Sequence, residues 1–110
     1  MDNPITSTIP VGQYPAYAAL TPDGATLYVS NLVSDTVSVV STGTNSVTTT
    51  ISGFASPQGL TASSNGQELY VTDSSGVVYV VNTTSNTISG SPISTNGGPF
   101  LEILGCREPL

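Results

Sequence analysis

An internal repeat restricts the possible folds of this chain more than any other feature does. Pro15, Pro57 and Pro99 stand 42 residues apart, and Asp23-Gly24 recurs as Asn65-Gly66 at the same step. Leu27-Tyr28-Val29-Ser30-Asn31 becomes Leu69-Tyr70-Val71-Thr72-Asp73. A one-residue deletion between Asn31 and Val37 shortens the step to 41. Val37-Ser38-Val39-Val40 then aligns with Val78-Tyr79-Val80-Val81, and Asn45-Ser46-Val47 with Asn86-Thr87-Ile88. The step is 42 again at Ile9, Ile51 and Ile93. So many markers in one order are not a coincidence, and a period of this length signals a stack of supersecondary units.

Each unit reads as four short strands. The first is expected over Ala16–Thr21 and Gln58–Ser63. It closes on Thr21-Pro22-Asp23-Gly24, where proline presets φ and glycine accepts a positive φ, or on its counterpart Ser63-Ser64-Asn65-Gly66. The second, Thr26–Ser30 and Glu68–Thr72, alternates, with Leu27 and Val29 on one face and Tyr28 on the other. The third, Thr36–Ser41 and Val77–Asn82, is rich in valine. Polar tetrads Thr42–Asn45 and Thr83–Asn86 turn the chain into a fourth strand, Ser46–Ile51 and Thr87–Ile93. Gly90 and Pro92 interrupt the second copy, which suits an edge strand. No stretch has helical apolar spacing, and Thr, Val and Gly disfavour a helix. Four antiparallel strands per ~40–45 residues is the period of a propeller blade, so the expected fold is all-β: two complete blades and a partial blade strand at each end.

The repeat residues resemble those of the YVTN-type β-propeller family. The likeness rests on Leu-Tyr-Val-Ser-Asn and Leu-Tyr-Val-Thr-Asp, on Thr-Pro-Asp-Gly, on Val-Ser-Val-Val and on the closing Ile-x-Gly-x-x-x-Pro, and it covers about residues 5 to 101. It implies a blade architecture rather than an activity. Members include surface-layer proteins, periplasmic propellers and relatives of lactonase and lyase propellers.

The repeat sets expected boundaries: 1–14 for the last strand of a preceding blade, 15–56 and 57–98 for two blades, 99–105 for the first strand of a following blade, and 106–110 for an irregular tail. Ile5–Ile9 match a fourth strand and Phe100–Leu104 a first. A closed propeller needs ~4–8 blades, so the chain reads as a window cut across a larger one. Past Phe100 the pattern fails: Glu102 falls where Ala18 and Leu60 stand, and Arg107-Glu108 replaces Asp23-Gly24. Cys106–Leu110 therefore reads as foreign to the repeat.

Composition removes whole classes of function. Among 110 residues there is one lysine or arginine (Arg107) and no histidine, and the net charge is −6. Without a basic footprint, nucleic-acid binding and attraction to anionic lipid are not expected. No run approaches the ~18 apolar residues of a membrane-spanning helix, and residues 1–4 lack a secretory signal pattern. The single Cys106 has no internal disulfide partner. The abundance of Val, Ile and Thr argues for ordered β structure rather than disorder.

No catalytic constellation stands out. Serines are many, but no His or Lys is present to activate one. Zinc ligation needs clustered His and Cys, and none exists. Asp35 and Asp73 are expected to approach each other between neighbouring blades; solvated turn acids are the expected reading, over a calcium site or paired acid–base carboxylates that would draw on Glu68. Gly97-Gly98-Pro99 is a linking turn rather than a phosphate loop. Asn82-Thr83-Thr84 fits a glycosylation sequon but also a turn entry. Tyr28 and Tyr70 share one repeat position, which points to packing between blades. No catalytic residue, metal or cofactor is assigned.

Any binding site should lie on loops carried by the rigid sheets: Gly12–Tyr14, Asn31–Asp35, Gly53–Ser56, Asp73–Gly76 and Thr95–Gly98. The candidate contact residues are Tyr14, Asn31, Asp35, Phe54 and Asp73, with Tyr14 and Phe54 as aromatic anchors. An acidic, hydroxyl-rich rim suits a protein or glycan partner. The expected role is a non-catalytic scaffold of an extracellular, cell-surface or periplasmic protein. The alternative is a piece of a lactonase- or lyase-like propeller enzyme whose catalytic residues lie in other blades. Exposed blade faces with few charges also predict self-association.

Overall fold

A computed structural model of the chain describes residues 7–90 and 93–94. Its elements are all strands: β1 Pro15–Leu20, β2 Thr26–Asn31, β3 Thr36–Ser41, β4 Ser46–Ser52, β5 Pro57–Ala62, β6 Glu68–Asp73, β7 Val77–Asn82, β8 Thr87–Ile88 and β9 Ile93–Ser94. The first four form one antiparallel sheet in sequence order. The second sheet follows the order β5-β6-β7, with β8 and β9 both pairing the outer side of β7. The second copy of the fourth strand is thus two short pieces. Gly90, at φ 71°, breaks it as expected, while Pro92 lies outside the described residues.

Local chemistry fixes the strand ends. The first strand stops at Leu20 and Ala62, one residue earlier than expected, because Thr21 and Ser63 are spent on the turn. The Thr21 hydroxyl donates to Asp23 Oδ1 (2.7 Å), Ala25 N–H donates to the same oxygen (3.0 Å), and Gly24 N–H donates to the Thr21 carbonyl (2.8 Å). Ser63, Asn65, Gln67 and Gly66 repeat that set. Gly24 and Gly66 sit at φ 75° and 74°, which a side chain disfavours. The second strand runs one residue further than expected, because Asn31 pairs with Pro15 and Asp73 with Pro57.

Ladder register assigns every side chain to a face. In the first sheet Ala19, Tyr28, Val39 and Val37 lie on one face, with Ile51 opposite Val37. Ala18, Leu20, Leu27, Val29 and Val40 lie on the other. A bulge at Thr48 shifts the β3–β4 register. In the second sheet Leu60, Leu69, Val71, Tyr79, Val81 and Ile88 share a face, and Tyr70, Thr72, Val78 and Val80 the opposite one.

The core lies between the sheets. Tyr28, Val37, Val39 and Ile51 of the first sheet meet Leu69, Val71 and Val81 of the second, with Ala19, Leu60, Tyr79 and Ile88 packed around them. The Tyr28 hydroxyl crosses to donate to Asn86 Oδ1 (3.0 Å), and the Ser30 hydroxyl donates to the Gln58 carbonyl (3.0 Å). Burial raises the Tyr28 phenol above its ordinary pKa. Tyr28 therefore packs between the sheets, as its repeat position suggested.

Two expectations concern the ends. Residues 7–9 of the expected fourth strand Ile5–Ile9 form no strand; an outer strand needs a third strand to pair with, and none precedes it among the described residues. The expected strand Phe100–Leu104, Glu102 and the tail with Cys106, Arg107 and Glu108 lie outside the described residues.

Candidate interaction face

One end of the two sheets carries the linkers 11–14 and 53–56 and the β2–β3 and β6–β7 loops. Asn31, the last residue of β2, is fully buried. Its Oδ1 accepts from Gly12 N–H (3.2 Å), and its Nδ2 donates to Ser38 Oγ (2.9 Å) and Thr36 Oγ1 (3.2 Å). The fit is tight: a Cβ on Gly12 would stand 2.7 Å from Asn31 Cγ, so glycine is required there. Gln13 N–H donates to Ser34 Oγ (2.7 Å), and the Tyr14 and Gln13 carbonyls accept from Leu32 and Val33 N–H (3.0 and 3.2 Å).

The second sheet uses carboxylates for the same task. Asp73, the last residue of β6, is 6 % exposed. Its Oδ2 accepts from Ala55 N–H (3.0 Å), and its Oδ1 from the amide and hydroxyl of Ser75. Asp35 reaches over from the first sheet's loop, and its Oδ1 accepts from Ser56 N–H (2.8 Å). Two carboxylates from neighbouring sheets thus hold successive amides of one linker. Among the described residues no three His, Cys, Asp or Glu side chains come together as a metal site.

Positive φ marks the same places. Tyr14 (58°) and Ser56 (50°) are repeat equivalents, as are Asp35 (60°) and Gly76 (86°) across the one-residue deletion. Non-glycine residues seldom adopt this conformation. Here the hydrogen bonds of Asn31, Asp35 and Asp73 over-determine it.

The expected anchors separate. Phe54 is not on the rim: it is 6 % exposed, part of the core between the sheets, with its ring edge-on to Tyr79 at 5.1 Å. The linker crosses the gap between the sheets, and its only large apolar side chain fills that gap. The Tyr79 phenol is raised by burial and, next, by the neighbouring Asp73 carboxylate. Tyr14 is an outward anchor, 67 % exposed. Beside it on the paired β2–β3 loop stands Val33, 60 % exposed, a residue that no shared feature of the repeat marks. The signal was present, since Tyr14 and Val33 align with Ser56 and Ser74. The first loop cluster is apolar where the second is polar.

At the opposite end a polar cavity of about 290 Å³ lies between the two Asx-Gly turns, lined by Thr21, Asp23, Thr26, Asn65 and Thr83 among others. The Asp23 carboxyl is held below its ordinary pKa by the Ala25 amide and then by the Thr21 hydroxyl. These groups are turn-formers already bonded to one another.

Solved structures share this arrangement of four-stranded antiparallel sheets. The β-propeller domain of Myceliophteria thermophila Cps50 (Swd1) superposes over 74 % of this chain with a TM-score of 0.66 at 20 % identity. The two sheets are β-propeller blades. A chain of hydrazine synthase from Kuenenia stuttgartiensis matches 70 % of this chain at 32 % identity, with a TM-score of 0.63. A functionally unknown protein from Desulfotomaculum acetoxidans matches 73 % at 26 % identity, with a TM-score of 0.62. This chain spans about a quarter of each: 24 %, 24 % and 26 %. No family model and no curated protein sequence matches it.

Proposed function

We propose that this chain is a non-catalytic segment of a YVTN-type propeller that serves as an interaction scaffold. One observation carries the reading. The polar side chains of the loop face that chemistry could use, those of Asn31, Asp35 and Asp73, are bonded to the linkers, while Tyr14 and Val33 project from that fixed frame. Aromatic and aliphatic groups on rigid loops are what a partner protein buries; an acidic, hydroxyl-rich surround also suits a glycan. The scarcity of lysine, the wealth of Thr, Ser, Asn and Gly, and the net charge of −6 support an extracellular, cell-surface or periplasmic setting.

A second reading is favoured by the 32 % identity to a chain of hydrazine synthase: a propeller segment of an enzyme whose reacting groups lie in other blades. The two readings separate in the full-length protein. Binding to immobilised protein and glycan ligands is measured for wild type, Tyr14→Ala and Asp35→Asn. The scaffold reading expects Tyr14→Ala to weaken binding roughly tenfold or more and Asp35→Asn to leave it unchanged. Turnover of a lactone or ester that Asp35→Asn abolishes in a folded protein would overturn it.

A further inference from the structure

We infer that the polar cavity between the two Asx-Gly turns binds one sugar unit, held by two adjacent hydroxyls of its ring. The site lies at the opposite end of the sheets from Tyr14 and Val33. Pro22, Asp23 and Thr26 line it from the first blade, and Asn65 and Gly66 from the second. Both walls therefore belong to complete four-stranded sheets, and the cleft is made by the joint between them.

The repeat builds this cleft. The two turns are equivalent, so stacking the blades sets one beside the other. They touch at one point: a Cβ on Gly66 would stand 3.3 Å from Pro22 Cδ. Each turn uses one atom of its Asx side chain on itself. Asp23 Oδ1 accepts from the Thr21 hydroxyl and the Ala25 amide, and Asn65 Oδ1 from the Ser63 hydroxyl and the Gln67 amide. Asp23 Oδ2 and Asn65 Nδ2 are left over. The Thr26 hydroxyl also makes no hydrogen bond among the described residues.

What is left over has a definite chemistry. An ionised carboxylate only accepts, the nitrogen of a primary amide only donates, and a hydroxyl does both. Identical copies would show a ligand two like groups. The change from Asp23 to Asn65 supplies one acceptor and one donor. Adjacent ring hydroxyls, each able to donate and accept, satisfy both at once. The Ala25 amide and then the Thr21 hydroxyl hold the Asp23 carboxyl below its ordinary pKa, so it is ionised at neutral pH. Hydrogen bonds to an ionised acceptor are the stronger kind. The Pro22 ring adds an apolar surface for the C–H groups of the sugar. The turn bonds hold both Asx side chains in place beforehand, which lowers the ordering cost of binding.

Size and charge argue against other occupants. The cavity of about 290 Å³ is at the small end of ligand pockets, which span roughly 300–1,000 Å³. It suits a single sugar unit rather than a nucleotide. No cationic side chain lines it, so a phosphate would lack a counter-charge. Asp23 is its only carboxylate, too few for calcium, which gathers several oxygens around it.

Amide-resolved NMR on the whole chain tests the site. Methyl α-mannoside, methyl β-galactoside and N-acetylglucosamine are titrated separately at millimolar concentrations, and calcium chloride in a further titration. Binding expects at least one sugar to shift the Gly24, Ala25, Gly66 and Gln67 amides saturably, with Gly12, Gln13 and Val33 unmoved. Calcium should shift none of them. Asp23→Asn keeps the turn, because Asn65 makes the same one, but it removes the acceptor and should weaken binding roughly tenfold or more. Asn65→Asp keeps the turn and removes the donor, with the same expected loss. No saturable shift with any of the three sugars would overturn the site. So would shifts confined to the other end, an Asp23→Asn variant that binds as wild type does, or saturation by calcium alone. Tyr14→Ala should leave sugar binding unchanged, so this proposal and the scaffold reading fail separately.

Discussion

Replacing Phe54 by alanine separates a core residue from a loop anchor. Its ring is 6 % exposed and meets Tyr79 edge to face at 5.1 Å. A buried Phe→Ala change costs ~3–5 kcal/mol, including the cavity left behind, and the aromatic pair accounts for about 0.5–1.5 kcal/mol of such a loss. Phe54 sits on a linker that can partly close over the gap, so the lower end applies, about 3 kcal/mol. At ~4–8 °C per kcal/mol for a domain of this size, the melting temperature falls by roughly 12–24 °C. The assay is urea denaturation followed by far-ultraviolet circular dichroism, with Tyr14→Ala as the control. The control should stay within ~0.5 kcal/mol of wild type, as surface changes do. A loss below about 1 kcal/mol for Phe54→Ala would refute the reasoning.

Other changes probe the latch and the turns. Asp73→Ala strands the Ala55 amide and both Ser75 donors and should cost ~1.5–3 kcal/mol by denaturation; Asp35→Ala, with one exposed bond to Ser56, should cost less than half as much. Gly12→Ala forces a Cβ to within 2.7 Å of the Asn31 side chain and should cost ~1–3 kcal/mol, with amide exchange faster at Gly12. The Asp23 carboxyl is held below 3.8 by the Ala25 amide and the Thr21 hydroxyl, so its contribution is present above that pH and is lost as pH falls through the lower folded value. Asp23→Asn, which copies Asn65, should flatten the acid limb of stability below about pH 4 while changing neutral stability little, as a melting-temperature series in pH reads out.

The repeat was legible because its markers are chemically rigid. Proline, Asx-Gly and the Leu-Tyr-Val alternation each constrain the backbone, and together they located every sheet strand to within a residue or so, the split of the last strand apart. The duties of single residues were less legible. Phe54 sits in a segment that reads as a loop, and only the path of the linker across the gap between blades makes it core. Asp35 and Asp73 read as solvated turn acids, because nothing along the chain shows that the amides of Ala55 and Ser56 lie beside them. Left-handed backbone at Tyr14, Asp35 and Ser56 is invisible where the residue is not glycine. Val33 stands out only where the copies differ, valine against Ser74, and not where they agree.

The account stands on the two blades forming one unit through a shared core. Native-state amide hydrogen exchange, read residue by residue, tests it most directly. The account predicts that the slowest amides of β2, β3, β6 and β7 share a single opening free energy, and that Phe54→Ala lowers it in both blades together. Protection in residues 15–52 that survives while 57–88 exchange freely, or a Phe54→Ala effect confined to one blade, would contradict it.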